Sequence, residues 1–161
     1  MSTPSIAVRR ATAADRAVLA RLLSDMQAHY RSPDPPGGAA EMARLLTREG
    51  EHLPFALLAE RDGTVLGLAT LTPVLFGGAY EWELFLKDLY VTAEARGLGI
   101  GRSLLVAMAR IAAEHNYCRI DWTTDATNTG AQRLYDGLGV PRQDKRFYRL
   151  VGEDLRKFAG G

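Results

Sequence analysis

The chain is poor in the residues that build disulfides and metal sites. Its 161 residues include one cysteine, Cys118, and three histidines, His29, His52 and His115, which lie far apart. A single cysteine excludes an internal disulfide and is typical of a reducing compartment. The histidines lack the close spacing of zinc or iron ligands, so we expect no metal site.

The sequence also lacks a strong charge of either sign and any long apolar run. The formal net charge is +1, which gives no electrostatic reason to expect nucleic acid or a membrane surface as a partner. No apolar stretch approaches the length of a membrane-spanning helix, and residues 1–5 do not begin a signal peptide. We therefore expect a cytoplasmic globular protein in which residues 1–161 form a single domain.

A glycine-rich turn between a strand and a helix is the most informative feature present. Residues 84–91 are apolar enough for a buried central strand, and apolar residues recur at helical spacing from Ile100 onward. The turn consists of Arg96, Gly97, Leu98, Gly99, Ile100, Gly101 and Arg102. Glycines let backbone approach a ligand, a helix N-terminus attracts anions, and arginine suits phosphate oxygens. The pattern therefore predicts a site for a pyrophosphate.

Two familiar nucleotide sites fit this turn poorly. A P-loop ends in Gly-Lys-Ser/Thr, whereas this turn ends in Gly101-Arg102-Ser103. The dinucleotide fingerprint needs a small residue where Arg102 stands, and its acidic partner would be Asp121, inside a predicted strand. A glycine-rich connection that binds no ligand is a further alternative.

The rest of the chain alternates apolar patterns with polar or glycine-rich breaks. Strands are predicted over residues 6–10, 55–60, 65–72, 84–91, 118–124 and 146–151. Helices are predicted over residues 12–30, 39–48, from 100 onward, 129–138 and 153–158. The helix starts at Thr12 and Thr129 have the spacing of capping boxes, and Asp62-Gly63 indicates a tight hairpin. Residues 31–38 and 73–80 are predicted loops.

The glycine turn and a second motif resemble the GNAT N-acyltransferase superfamily. Residues 96–101 are similar to its acyl-CoA turn, Arg/Gln-x-x-Gly-x-Gly/Ala, at every fixed position. Asn128, Ala131, Tyr135 and Gly139 are similar to its Asn-x-x-Ala-x-x-x-Tyr-x-x-x-Gly segment. The resemblance implies an α/β GNAT (acyl-CoA N-acyltransferase) fold, a mixed central sheet flanked by helices, and acetyl-CoA as co-substrate.

Within the superfamily the chain most resembles the diamine and thialysine acetyltransferases. Residues 10–15, 87–91 and 146–158 are similar in layout to the corresponding parts of that subgroup. The subgroup has Glu-Asp where this chain has Lys87-Asp88, and the missing glutamate is the residue usually given the role of base. A lysine there also suits a polycationic acceptor poorly, so this departure bears on the acceptor rather than on acyl-CoA chemistry.

The resemblance also implies roles for individual residues. Backbone N–H groups of the central strand, at Leu89, Tyr90 and Val91, would polarise the thioester carbonyl. Tyr135 would protonate the departing thiolate, the alternative being a half-buried aromatic that only packs. Asn128 would bind the pantetheine amides, cap a helix, or do both.

The general base has several candidates. On a regular strand, Glu83 shares a face with Lys87, four residues along. A bulge near residues 87–89 would instead bring Asp88 round. Glu81 is a third candidate, and a water chain to solvent would also serve.

These patterns together predict an N-acetyltransferase that acts on a primary amine, favouring a small molecule such as a polyamine or a lysine-like amine. The alternatives are an acyl-CoA sensor that has lost catalysis, a protein lysine or N-terminal acetyltransferase, and another nucleotide-binding enzyme. Residues 31–38 either frame an acceptor pocket or only join two helices. A homodimer is expected through the apolar C-terminal residues Phe147, Tyr148, Leu150 and Phe158.

Overall fold

The computed structural model describes residues 5–75 and 80–160, which belong to two compact units, Met1–Thr123 and Thr124–Gly161. The first unit is built on a five-stranded sheet whose strands lie side by side in chain order. The strands are β1 Ala7–Arg10, β2 Phe55–Arg61, β3 Thr64–Leu75, β4 Trp82–Val91 and β5 Ile120–Asp121. Strands β1 to β4 are antiparallel and β5 is parallel to β4, so the sheet is mixed, as predicted.

Helices cover both faces of this sheet. They are α1 Arg16–His29, α2 Gly38–Leu46 and α3 Ile100–Glu114, with short 3-10 turns at Ala13–Asp15 and Ala93–Ala95. Leucines of α1 and α2 form one core cluster with Leu58, Leu68 and Tyr90 of the sheet. On the opposite face, α3 approaches so closely that a Cβ at Gly67 would lie 2.8 Å from Ile100 Cγ2. The predicted α/β class is confirmed.

The start of the first helix is fixed by a buried carboxylate, as the capping-box spacing predicts. Asp15 accepts a hydrogen bond of 2.8 Å from the Thr12 backbone N–H and two of 2.8 Å from the Arg9 guanidinium. Because Arg9 belongs to β1, the same carboxylate ties the first strand to the first helix. The hydrogen bonds from Arg9 hold the pKa of Asp15 well below its ordinary value, against the opposing effect of burial.

The second unit contains the helices α4 Thr129–Gly137 and α5 Gly152–Phe158. Thr129 and Asn128 are both predicted as possible caps of α4, and the structure selects Asn128. Asn128, rather than Thr129, is the N-cap, and its Oδ1 accepts a hydrogen bond of 3.1 Å from the Ala131 N–H. Because asparagine and threonine are both favourable N-cap residues, the capping-box spacing from Thr129 to Gln132 does not show which of the two caps the helix.

Three predicted boundaries are wrong for identifiable reasons. Strand β3 continues to Leu75 because β2 begins at Phe55, beside Leu71, so that Pro73 lies on a free edge where a missing N–H costs nothing. Residues 146–151 form no strand, because the described part of the second unit offers no strand to pair with. Strand β5 is limited to Ile120–Asp121, the two residues paired with β4. The rest of the predicted 73–80 loop falls partly on residues 76–79, outside the described residues.

Among the described residues, no helix combines the length and the apolar character needed to cross a membrane. The cytoplasmic location stays a prediction.

Candidate functional site

The glycine turn has the geometry of an anion site. Gly97 and Gly99 have φ of +80° and +85°, the left-handed region that favours glycine, and Gly99 is the N-cap of α3. Residues 96–99 are exposed, whereas Ile100 is buried and anchors the turn to the sheet. The turn is therefore an open surface on a fixed support.

Several backbone donors of this turn are available to a ligand. The first N–H groups of α3, from Ile100 to Arg102, have no acceptor within the helix. In the described part of the chain, the N–H groups of Gly97 and Gly99 also donate to no protein acceptor. The helix dipole and the exposed side chains of Arg96 and Arg102 add positive charge. This set of donors suits a phosphate or pyrophosphate.

A β-bulge interrupts the central strand just before the turn. Thr70 pairs with Asp88 and Leu71 with Leu86, so Lys87 is the extra residue of β4. Of the two alternatives that the sequence left open, a regular strand and a bulge near residues 87–89, the structure has the bulge. Lys87 itself is exposed.

The bulge decides which side chains share a face. The pairing with alternate residues of β3 puts Glu83 and Asp88 on the face that α1 and α2 cover. On a regular strand, Asp88 would have faced α3 instead. Asp88 accepts a hydrogen bond of 2.6 Å from Thr70 Oγ1, and Thr70 is buried. The carboxylate of Asp88 is thus held in one orientation.

Strand β4 has a free edge beyond the bulge. Its pairing with β5 covers only Leu84 and Phe85, and no other strand of the described chain lies along that edge. The Thr92 N–H donates to Leu66 O on β3 at 2.9 Å. Because alternate N–H groups point to opposite edges, those of Leu89 and Val91 point away from β3. The edge that leads to the glycine turn therefore presents backbone donors.

The second predicted motif lies in the second unit. Asn128 caps α4, which confirms one of its two predicted roles. Tyr135 lies on the same helix and is half-buried. Its carbonyl accepts hydrogen bonds from Leu138 and Val140, which close the end of the helix.

Comparison with known proteins identifies the family. The model of the acetyltransferase (GNAT) family matches residues 19–140. The chain belongs to the GNAT family. An uncharacterized N-acetyltransferase, YhfO of Bacillus subtilis, is 30% identical over 132 residues, which cover 82% of this chain and 87% of YhfO. A thialysine N-epsilon-acetyltransferase of Bos taurus is 25% identical over 96% of this chain and 98% of its own.

The fold is matched as well. The solved structure of the integron cassette protein VCH_CASS6 of V. cholerae has a TM-score of 0.80 and 29% identity, over 99% of this chain and 100% of that one. Several other N-acetyltransferases match over about half of their own length. The chain is a GNAT acetyltransferase with the GNAT fold, and members of this family use acetyl-CoA.

Two of the carboxylates predicted as bases have different surroundings in this GNAT domain. Glu83 is buried, and its Oε2 lies 2.5 Å from Arg119 Nε, which also contacts Asp121 Oδ2 at 3.2 Å. Among the described residues no cation pairs with Asp88, which accepts a hydrogen bond from the Thr70 hydroxyl. Glu81 precedes β4 and is exposed. The Glu83 carboxylate is therefore already engaged by a guanidinium, whereas the Asp88 carboxylate contacts a neutral hydroxyl.

Two residues near the site escaped the sequence analysis. Arg119 directly precedes β5 and pairs with Glu83 of β4, and His29 lies at the end of α1 with its Nδ1 3.3 Å from Arg96 Nη2. The partners are separated by 36 and 67 residues in sequence. No local pattern indicates contacts over such separations.

The predicted loop at 31–38 borders a surface pocket of about 340 Å³. Its lining includes Ala20, Arg21 and Ser24 of α1 and residues 34–37 of the loop. None of the predicted catalytic or cofactor residues lines this pocket. Its location therefore does not decide between an acceptor-framing loop and a connector.

Among the described residues, no group of three or more His, Cys, Asp or Glu side chains is arranged to hold a metal ion.

Proposed function

We propose that this GNAT protein transfers the acetyl group of acetyl-CoA to the primary amine of a small molecule. The observation that supports this most is the bulge at Lys87 in a strand whose free edge leads to the glycine turn. Together they join an anion site, a set of backbone donors and a carboxylate along one short stretch of chain.

The cofactor is expected along residues 89–102. Its pyrophosphate would bind the N–H groups of the turn, with Arg96 and Arg102 countering its charge. The thioester carbonyl would accept a hydrogen bond from the edge N–H of Leu89, which stabilises the negative charge that develops on that oxygen. Tyr90 and Val91 would continue the contact towards the turn, and Asn128 would bind the pantetheine amides.

The amine must lose a proton before it attacks. A lysine-like amine has a pKa of about 10.4, so it arrives charged at neutral pH. We assign to Asp88 the role of the base that takes this proton, directly or through water, because Glu83 is already paired with Arg119. The neutral amine nitrogen then bonds to the thioester carbon, the carbon–sulfur bond breaks, and the thiolate takes a proton from the Tyr135 hydroxyl.

The acceptor is assigned only by class. The thialysine acetyltransferase matched along nearly the whole chain supports a lysine-like amine. The exposed Lys87 at the bulge argues against a polycation such as a polyamine, because like charges repel. The alternatives are a protein lysine or N-terminal amine as acceptor, and an acyl-CoA sensor without turnover.

We also propose that residues 1–161 form one GNAT domain and that two copies associate. The family match crosses the boundary between the two units at Thr123 and Thr124. Phe147, Tyr148 and Phe158 expose 68%, 88% and 81% of their surface, and Leu150 exposes 48%. Exposed aromatic side chains are enriched where proteins associate. Sedimentation that shows only a monomer at micromolar concentration would refute the homodimer.

A panel of amines tests the reaction. Thiol release from acetyl-CoA is measured with lysine-like amines, diamines, polyamines, aminoglycosides and peptides bearing a free N-terminus. We expect turnover to be fastest with a small amine that carries a single positive charge. Acetyl-CoA binding without turnover on any amine would favour the sensor, and a preference for peptides would favour a protein acceptor.

Two variants of α3 test the cofactor site. Arg102→Glu places a negative charge in the turn, whereas Arg110→Glu makes the same change two turns further along the helix, about 12 Å away. We expect the first to weaken acetyl-CoA binding by about tenfold or more and the second to leave it nearly unchanged. Equal effects would mean that the pyrophosphate binds elsewhere. Stabilisation of the parent by ATP or NAD as strong as that by acetyl-CoA would favour another nucleotide-binding enzyme.

A further inference from the structure

A histidine connects the end of α1 to the glycine turn. His29 is the last residue of α1, and its Nδ1 lies 3.3 Å from Nη2 of Arg96. The His29 ring also contacts Tyr90 with 6.0 Å between ring centroids and Tyr30 with 4.8 Å. Tyr90 is buried, so it gives the imidazole a fixed surface to pack on. His29 therefore reaches Arg96 from a supported position.

The chemistry of this contact fixes the state of the ring. An arginine guanidinium can only donate hydrogen bonds, so Nδ1 of His29 must accept, and the ring proton lies on Nε2. Such a ring is neutral. A doubly protonated imidazole has no acceptor and carries a positive charge beside that of Arg96. Protonation would therefore break the contact and push the two side chains apart.

Other charged and titratable groups act on Tyr90, the side chain on which the His29 ring packs. Asp25 and Tyr30 come from α1, Tyr90 from β4, and Glu94 from the 3-10 turn before Arg96. Burial raises the pKa of Tyr90, so its hydroxyl stays neutral at physiological pH.

We infer that His29 is a positioning residue that holds Arg96 at the glycine turn, so that acetyl-CoA binding depends on a neutral imidazole at the end of α1. The inference rests on the proposed role of Arg96 at the cofactor pyrophosphate. An unheld arginine side chain loses rotational freedom when it binds, whereas a held one has lost much of it already. His29 thus contributes to affinity without touching the reacting atoms.

Two substitutions separate the effect of the hydrogen-bond acceptor of His29 from the effect of its aromatic ring. His29→Asn places an amide oxygen close to the position of Nδ1 and keeps a neutral acceptor, whereas His29→Phe keeps a ring without an acceptor. At pH 8 we expect His29→Phe to weaken acetyl-CoA binding by about fivefold, the effect of one modest hydrogen bond, and His29→Asn to bind within about twofold of the parent. Equal binding by the parent and both variants would overturn the inference.

A comparison of two ligands shows whether the effect of His29→Phe on binding depends on the pyrophosphate of the cofactor. Acetyl-pantetheine carries the same thioester but lacks the pyrophosphate. We expect His29→Phe to bind it as the parent does, measured as inhibition of acetyl-CoA turnover. A loss that is the same for both ligands would show a general distortion of the site and would overturn the inference.

The pH dependence of acetyl-CoA affinity is a readout that a change in packing alone would not alter. Between pH 8 and pH 5.5 the parent should lose acetyl-CoA affinity faster than His29→Asn, whose side chain does not titrate. Titration of the cofactor phosphates is common to both proteins and cancels in the comparison. His115→Asn is the matched control, because that exposed histidine ends α3 at the opposite end from the turn. Parallel profiles for parent and His29→Asn would overturn the inference.

Arg96→Ala separates this inference from the proposed function. If Arg96→Ala binds acetyl-CoA as the parent does, Arg96 has no role at the pyrophosphate, and the proposed cofactor site fails with the inference. If Arg96→Ala weakens binding and His29→Phe does not, only the inference fails. If both are correct, His29→Phe should have little further effect in the Arg96→Ala background, because the two residues act as one unit.

Discussion

Replacing Gly67 by alanine should destabilise the protein through the contact between α3 and the sheet. A Cβ at this position would lie 2.8 Å from Ile100 Cγ2 and 2.9 Å from the Tyr90 carbonyl oxygen. Both distances are shorter than van der Waals contact, and the oxygen belongs to the backbone of β4, so a side-chain rotation alone cannot relieve the overlap. Either α3 or β4 must move.

The magnitude follows from two opposing effects. Overpacking a buried site by one methyl group costs about 1–3 kcal/mol. Replacing glycine by alanine also restricts the unfolded chain, which returns about 0.4–1 kcal/mol. We therefore expect a net loss of about 1–2 kcal/mol in the free energy of unfolding, which for a chain of this size lowers Tm by roughly 3–8 °C.

Thermal and urea denaturation of purified variants measure this loss. Gly137→Ala is the matched control, because a Cβ there meets nothing within 4 Å and alanine suits a helix. Since Ile100 begins α3 directly after the glycine turn, Gly67→Ala should also weaken acetyl-CoA binding, whereas the control should not. If Gly67→Ala unfolds at or above the parental temperature, the close approach of α3 to the sheet is wrong.

Three further predictions concern the reaction and the fold. Tyr135→Phe should lower kcat by a factor of about 10² with little change in the dissociation constant of acetyl-CoA, because proton transfer to the thiolate belongs to the transition state. Turnover close to that of the parent would show that Tyr135 only packs. Asp88→Asn should flatten the rising alkaline limb of the rate profile, whereas Glu83→Gln should chiefly lower thermal stability, because it removes the charge of a buried carboxylate that pairs with Arg119. The reverse result would transfer the role of base to Glu83. Asp15→Asn should lower the free energy of unfolding by about 2 kcal/mol at pH 7, since it weakens a hydrogen-bonded ion pair. The folded-state pKa of Asp15 is depressed, so its contribution is present above the unfolded pKa near 4 and is lost as the pH falls below that value. The stability curves of Asp15→Asn and the parent should therefore begin to converge near pH 4 and continue to approach each other as the pH falls towards the depressed folded-state pKa, and curves that stay parallel over this range would refute the assignment.

The parts of the fold that the sequence predicted are those specified by neighbouring residues. The glycine turn was recognisable because positive φ values at Gly97 and Gly99 require glycine, and α3 because its apolar stripe recurs at a fixed spacing. The start of the first helix was recognisable for the same reason, since Thr12 and Asp15 are three residues apart.

The parts that were missed depend on partners far along the chain. Residues 146–151 contain the aromatic and branched apolar side chains that favour a strand, but a strand forms only where another strand offers a ladder of hydrogen bonds. Pro73 suggested the end of β3, yet its effect depends on where the neighbouring strand β2 begins. The contact from His29 to Arg96 joins residues 67 positions apart, for which local spacing carries no information.

The bulge at Lys87 links the missing glutamate of the diamine subgroup to the proposed chemistry. One extra residue in β4 puts Asp88 on the α1–α2 face and turns the Leu89 N–H towards the free edge. A regular strand with the same sequence would exchange both orientations, since side chains and N–H groups alternate together. The proposed base and the proposed carbonyl donor are therefore set by one irregularity, whereas Lys87 occupies the extra position and faces solvent. Replacing Lys87 by glutamate should for this reason alter the preference among acceptor amines more than the binding of acetyl-CoA.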